Sequence, residues 1–145
     1  MMTPEELIDM TKRHEGTGPM QNGRLMPYHD SVGKLTIGYG RNIEDNGVTP
    51  EEALYLLQND LGRARTQARG AFLWFDSLDL TRQAVLTEMI FNMGLAKVEG
   101  FKLMLAAIQA GDFRQAAAEM RNSVWAQQVG ARALELASLM ESGDT

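Results

Sequence analysis

Beyond Thr49, apolar residues return every three or four positions. Leu54, Leu57 and Leu61 form one series, and Val85, Met89 and the segment Phe91-Asn92-Met93 another; Phe101, Leu105 and Ile108, then Ala116 to Met120, then Leu134, Leu136 and Leu139 continue it. This is the spacing of one buried face on a helix. Gly70, Gly94, Gly111 and the region of Ser123 interrupt the pattern. The C-terminal two-thirds is therefore predicted to be a bundle of about five helices with short loops.

Two helix starts are written in nearly the same letters, Thr3-Pro4-Glu5-Glu6 and Thr49-Pro50-Glu51-Glu52. In each, threonine is placed as the N-cap, proline takes the first helical position, and a glutamate three residues on closes a capping box. The first helix carries Leu7, Ile8 and Met10 on one side and is expected to end near His14, with Gly16 as terminator. Glu15 then sits at a helix C-terminus, where the aligned peptide dipoles disfavour a carboxylate by a few tenths to about 1 kcal/mol. A solvated last-turn residue is the plain reading, and the chemistry that follows is the alternative.

Between residues 16 and 48 the pattern changes. Gly16, Gly18, Gly23, Gly33, Gly38 and Gly40 punctuate short runs, with Pro19, Pro27 and the turn-formers Asn22-Gly23 and Asn46-Gly47. The runs around Arg24, Tyr28-His29 and Lys34 to Tyr39 read as a small antiparallel hairpin sheet. The expected order is helix, small sheet, long helix, bundle: an α+β chain forming one domain, with a β-rich lobe over about 16–48 and a helical lobe over about 70–145 on which the helix of residues 1–15 packs. A cleft between the lobes is the expected place for chemistry.

Composition narrows the chemistry. The 145 residues suit one domain, and 44% hydrophobic with 23% charged residues is an ordinary globular balance. Ten methionines read first as core filler. With no cysteine, disulfides, thiolate metal sites and thiol nucleophiles are excluded. A net charge of −5, with only Arg63, Arg65 and Arg69 clustered, argues against nucleic acid. No basic and apolar leader and no run of about 18 apolar residues is found, so no stable membrane association is expected.

Glu15 and Asp30 are candidates for paired carboxylates, one protonating a leaving oxygen while the other activates water or attacks carbon, as glycoside hydrolysis requires. His14 and His29 flank them but lack metal-ligand spacing, and Glu44-Asp45-Asn46-Gly47 lacks the alternating oxygen ligands of a calcium loop. No metal is expected.

Glu15-Gly16, Tyr28-His29-Asp30 and Gly33-Lys34-Leu35-Thr36-Ile37-Gly38-Tyr39-Gly40 together resemble the signature of the phage-type lysozymes, endolysin muramidases related to the lysozyme of the T-even bacteriophages. Asn42 to Ala53 is similar to that family's entry into its long inter-lobe helix, Phe91 to Gly94 with Gly100-Phe101 to its cleft-facing segment, and Asp112-Phe113 through Trp125 and Arg132 to its closing helices. The loop from Glu15 to Asp30 is longer, with extra residues over Thr17 to Arg24; chain closure tolerates this at about 0.6 kcal/mol per doubling of length.

The resemblance implies a lysozyme-like fold and a cofactor-free muramidase cleaving the β-1,4 bond between N-acetylmuramic acid and N-acetylglucosamine. Glu15 would be the general acid, Asp30 its ionised partner and Thr36 the holder of the attacking water; carboxyls about 6.5–9.5 Å apart would give inversion. Tyr28, Phe91, Asn92 and Arg132 would meet substrate, Arg132 lying also near Glu15, and Arg41 would pair with Asp60 to tie the sheet to the helix. Trp74 and Trp125 read as core anchors. The implied partner is bacterial peptidoglycan, the implied state a monomer, and the implied setting a phage or prophage endolysin held in the host cytoplasm until lysis. A catalytically idle wall-binding or interaction module on the same fold, and a purely helical adaptor, are the competing readings.

Overall fold

The structure, a computed structural model, describes residues 1–144. The chain divides into two compact units, Met1–Leu54 and Tyr55 onward, with the boundary inside one long helix.

The first unit opens with α1, Pro4–Glu15. Its capping box is complete: the Glu6 N–H donates to the Thr3 hydroxyl at 3.1 Å, and the Thr3 N–H donates to the Glu6 carboxylate at 3.2 Å. At the other end Gly16, with φ +66°, returns its N–H to the Lys12 carbonyl, so the helix stops on Glu15 as its composition predicts. No residue of α1 is buried, and Leu7 and Ile8 on its expected apolar side are exposed.

The glycine-rich segment holds two sheets rather than one. β1 (Met20–Gln21) and β2 (Arg24–Leu25) form a separate hairpin, closed by Asn22 and Gly23 with φ of +52° and +75°. Two left-handed residues in succession match the twist of a tight hairpin, which accounts for the Asn-Gly pair. β3 (Tyr28–His29), β4 (Leu35–Ile37) and β5 (Arg41–Asn42) form the second sheet, antiparallel throughout, with Tyr28 opposite Thr36 and Thr36 opposite Asn42. The expected turn at Asn46-Gly47 is the end of a short helix, α2 (Ile43–Asn46), capped by Asn42 and closed by Gly47. The Thr49 capping box then starts α3 (Pro50–Ala71).

In the second unit α3 gives way to a 3-10 turn, Phe75–Ser77, followed by α4 (Leu80–Met93), α5 (Leu95–Glu99), α6 (Lys102–Gln109), α7 (Phe113–Arg121), α8 (Val124–Val129) and α9 (Ala131–Ser142). The bundle has more pieces than its periodicity predicts, because Gly100 and Gly130 each close a short helix. Its core comprises Phe75, Val85, Leu86, Met89, Val98, Met104, Met120 and Met140, so four of the eight largest fully buried side chains are methionines and the core-filler reading holds.

Two faces differ from the periodic reading. The α3 residues that are buried are Ala64 and Ala68, while Leu54 and Leu57 are exposed; α9 buries Ala133, Leu136, Ala137 and Met140, leaving Leu134 and Leu139 outside. Small residues let a helix backbone approach its neighbour closely, and a count of leucines does not register them. No helix of the described residues is long and apolar enough to cross a membrane.

Candidate functional site

Glu15, Asp30 and Thr36 all lie in the first unit. Glu15 is the last residue of α1, and Lys12, Arg13 and His14 in the same turn oppose the negative end of the helix. Its carboxyl lies against Gly40, the final glycine of the Thr36-Ile37-Gly38-Tyr39-Gly40 segment. Lys12 lies over the ring of Tyr39, 5.2 Å from its centroid, and joins the same helix turn to the same segment.

Asp30 follows β3 and opens the turn into β4. Its Oδ1 accepts the N–H of Val32 at 3.0 Å and of Lys34 at 2.8 Å, while its backbone N–H donates to the Lys34 carbonyl at 2.9 Å and its carbonyl accepts from Gly33. One carboxylate oxygen is thus fixed by the turn itself, and the other takes no hydrogen bond from these groups. This is the side-chain-to-backbone pairing that aspartate supplies in a turn.

Thr36 sits at the centre of the three-stranded sheet and is 2% exposed. Its hydroxyl donates to the Lys34 carbonyl at 2.8 Å, which uses its only proton and leaves its lone pairs as acceptors. Lys34 therefore contributes to both candidates through its backbone, its N–H to Asp30 and its carbonyl to Thr36. Its ammonium reaches Asp45 at 3.2 Å and Glu44 at 3.5 Å, fastening β4 to α2.

The ion pair expected between Arg41 and Asp60 is replaced. Arg41 pairs with Glu52, Nη1 donating to Oε1 at 2.9 Å and Nη2 to Oε2, and it also caps the Gly47 carbonyl at 3.0 Å. Asp60 faces Arg63, one turn along α3, at 3.7 Å. Glu52 is the closing glutamate of the Thr49 capping box, and its Oε1 accepts the Thr49 N–H at 2.8 Å while holding Arg41. The capping box signalled where this carboxylate would be; that β5 would deliver a guanidinium to it was not readable from spacing. Arg41 and the Thr49 N–H hold the Glu52 carboxyl down to about 2.

Tyr28, on β3, stands opposite Thr36, and its ring fills the space a side chain at Gly18 would need. The other candidate ligands are in the second unit. Phe91, 40% exposed, and Arg132 line a cavity of about 590 Å³ with Leu57, Arg65 and Glu88. The Arg132 Nε donates to Glu88 at 3.0 Å, a partner that sequence gave no sign of. The side-chain oxygen of Asn92 accepts the indole N–H of Trp125 at 2.7 Å. Trp125 is core, as expected, and with Met93 and Phe101 borders a second cavity of about 630 Å³; Trp74 is only partly buried and stacks on Phe72 at 5.0 Å. Among the described residues no group of His, Asp or Glu is arranged to hold a metal ion.

A small antiparallel sheet carrying an anchored aspartate and a buried threonine, a helix ending on a glutamate, and a separate helical bundle define an α+β, lysozyme-like protein. Residues 12–141 match the model of the phage lysozyme family, and the chain belongs to that family, among the lysozyme-like glycosidases. Over 95% of its length it is 29% identical to the pre-baseplate central spike protein Gp5 of Enterobacteria phage T4, of which it spans only 28%. It is 27% identical to the probable T4-type lysozyme 2 of Dictyostelium discoideum, with 94% of each chain covered, and 28% identical to the probable T4-type lysozyme 1 of the same organism, with 93% of each covered.

Proposed function

We propose that the chain hydrolyses the β-1,4 bond between N-acetylmuramic acid and N-acetylglucosamine in bacterial peptidoglycan, as a phage or prophage endolysin. Glu15 gives its proton to the glycosidic oxygen as the bond to the anomeric carbon breaks. Asp30 takes a proton from water as the water attacks the opposite face of the sugar, and Thr36, whose own proton is committed to Lys34, accepts a hydrogen bond from the same water. A water that donates to two acceptors keeps a lone pair aimed at carbon. Displacement by water in one step inverts the anomeric configuration.

Family membership supports the class of reaction. The observation that carries the residue assignment is the presence of Glu15, Asp30 and Thr36 in one unit, with the Glu15 carboxyl against Gly40 in the turn that follows the strand holding Thr36. Digestion of purified peptidoglycan tests the reading: mass spectrometry should find N-acetylmuramic acid at the new reducing ends, and NMR of the first products should find the α-anomer. Reducing ends on N-acetylglucosamine, or products with no new reducing end, would refute the assignment; β-anomers would refute inversion.

A further inference from the structure

Gly40 has φ +83°, and a Cβ at that position would stand 2.8 Å from both Cδ and Oε2 of Glu15 and 3.1 Å from its Cγ. Two separate reasons for glycine therefore meet here. A left-handed backbone favours glycine wherever it occurs. Gly16, Gly23, Gly33 and Gly38 are left-handed too, yet a Cβ at any of them meets nothing within 4 Å. Backbone conformation accounts for all five; at Gly40 the vacant space is also occupied, by the Glu15 carboxyl, as it is by the Tyr28 ring at Gly18 and by the Arg82 guanidinium at Gly143, and of these three neighbours only Glu15 is the proposed acid.

We infer that Gly40 is a positioning residue for Glu15, its bare Cα forming the seat on which the carboxyl rests. The inference rests on Glu15 being the acid of the proposed reaction. The atoms in the way of a side chain at position 40 are the far end of a flexible glutamate, so a methyl group there pushes the carboxyl aside instead of breaking the sheet. Lys12 over Tyr39 holds the end of α1 beside the same segment, which leaves side-chain rotation of Glu15 as the route of relief. Misplacing a reacting group by about 1 Å costs on the order of 10²-fold in rate. The last glycine of the segment is thus tied to the acid, whereas Gly38 is tied only to the turn.

Gly40→Ala compared with Gly23→Ala separates the two reasons. Gly23, with φ +75° and open space around it, sits at the tip of the β1–β2 hairpin and reports the backbone strain alone. Both variants should lose similar thermal stability. Gly40→Ala alone should lose on the order of 10²-fold in kcat on purified peptidoglycan, with KM nearly unchanged, and shift the titration of the Glu15 carboxyl followed by ¹³C NMR. Wild-type kcat with an unmoved Glu15 titration in Gly40→Ala would overturn the inference, as would an equal loss of kcat in Gly23→Ala. Should Gly40→Ala not fold, the change is repeated in a Glu15→Ala background: recovered folding supports the seat, and its absence overturns it. Should the wild-type chain hydrolyse no glycan, the proposed reaction falls, and the Glu15 titration alone decides the contact, a shift supporting it and none refuting it.

Discussion

Arg41 holds both carboxylate oxygens of Glu52, and Glu52 at the same time closes the capping box at the start of α3. One carboxylate therefore couples the last strand of the sheet to the helix that follows. The hydrogen bond from Arg41, followed by the backbone N–H of Thr49, holds its pKa down from the ordinary 4.5 to about 2. A carboxyl depressed on folding contributes stability that is complete above its unfolded value and lost as pH falls through its folded one. The difference in unfolding midpoint between wild type and Glu52→Gln should be constant above about pH 5 and shrink progressively toward pH 2. A difference that does not change with pH across that window would show that the pair is not held as described.

Asn92 accepts the indole proton of Trp125, whose side chain is buried in the bundle. Removing the acceptor leaves the indole N–H of a buried side chain without its protein partner, which costs about 1–3 kcal/mol. Asn92→Ala should therefore destabilise by that amount in urea unfolding, while Asn92→Asp, which keeps an acceptor oxygen, should lose less. Equal stability of Asn92→Ala and wild type would show the bond to be incidental.

Arg82 joins the beginning of α4 to the end of α9. Its Nε donates to the Met140 carbonyl at 2.6 Å, Nη2 to the Glu141 carbonyl at 2.8 Å and Nη1 to Asp79 at 3.0 Å, and its plane lies over the Phe113 ring, 3.5 Å from the centroid. A guanidinium can cap two carbonyls and stack at once, and an ammonium cannot. Arg82→Lys should lose on the order of 2 kcal/mol, and Arg82→Ala somewhat more, with unfolding still two-state. Retention of wild-type stability by Arg82→Lys would contradict this.

Thr36→Val keeps the shape of a buried β-branched residue and removes the hydroxyl. The Lys34 carbonyl loses one of its two donors and keeps the Asp30 N–H, so a stability loss of about 1 kcal/mol is expected. If Thr36 steadies the attacking water, turnover on peptidoglycan should fall far more than this loss of stability explains. A variant with undiminished turnover would remove Thr36 from the reaction.

Much of the local structure was legible because it is written in short-range chemistry. The two capping boxes, the stop at Gly16 and the Asn22-Gly23 hairpin each depend on residues within four positions of one another, and each forms as read. The same holds for Asp30, whose carboxylate organises a turn through Val32 and Lys34. What depended on distant neighbours was not legible. Arg41 finds Glu52 instead of Asp60 because α2 and Gly47, whose carbonyl it caps, bring the start of α3 to the guanidinium; α3 and α9 bury alanines where leucines seemed the natural core. The role of Gly40 was hidden for a similar reason: a glycine that forms a seat looks, in sequence, like a glycine that only turns the chain.

The central claim is that Glu15 delivers the proton that breaks the glycan. The most direct measurement is the clearing of permeabilised bacterial cells, followed by turbidity at equal concentrations of folded wild type and Glu15→Gln. Glutamine keeps the size of the side chain and has no carboxyl proton to give. A fall in initial rate of at least ~10²-fold is predicted, the lower end of what a general acid contributes. Clearing by Glu15→Gln at the wild-type rate would contradict the account.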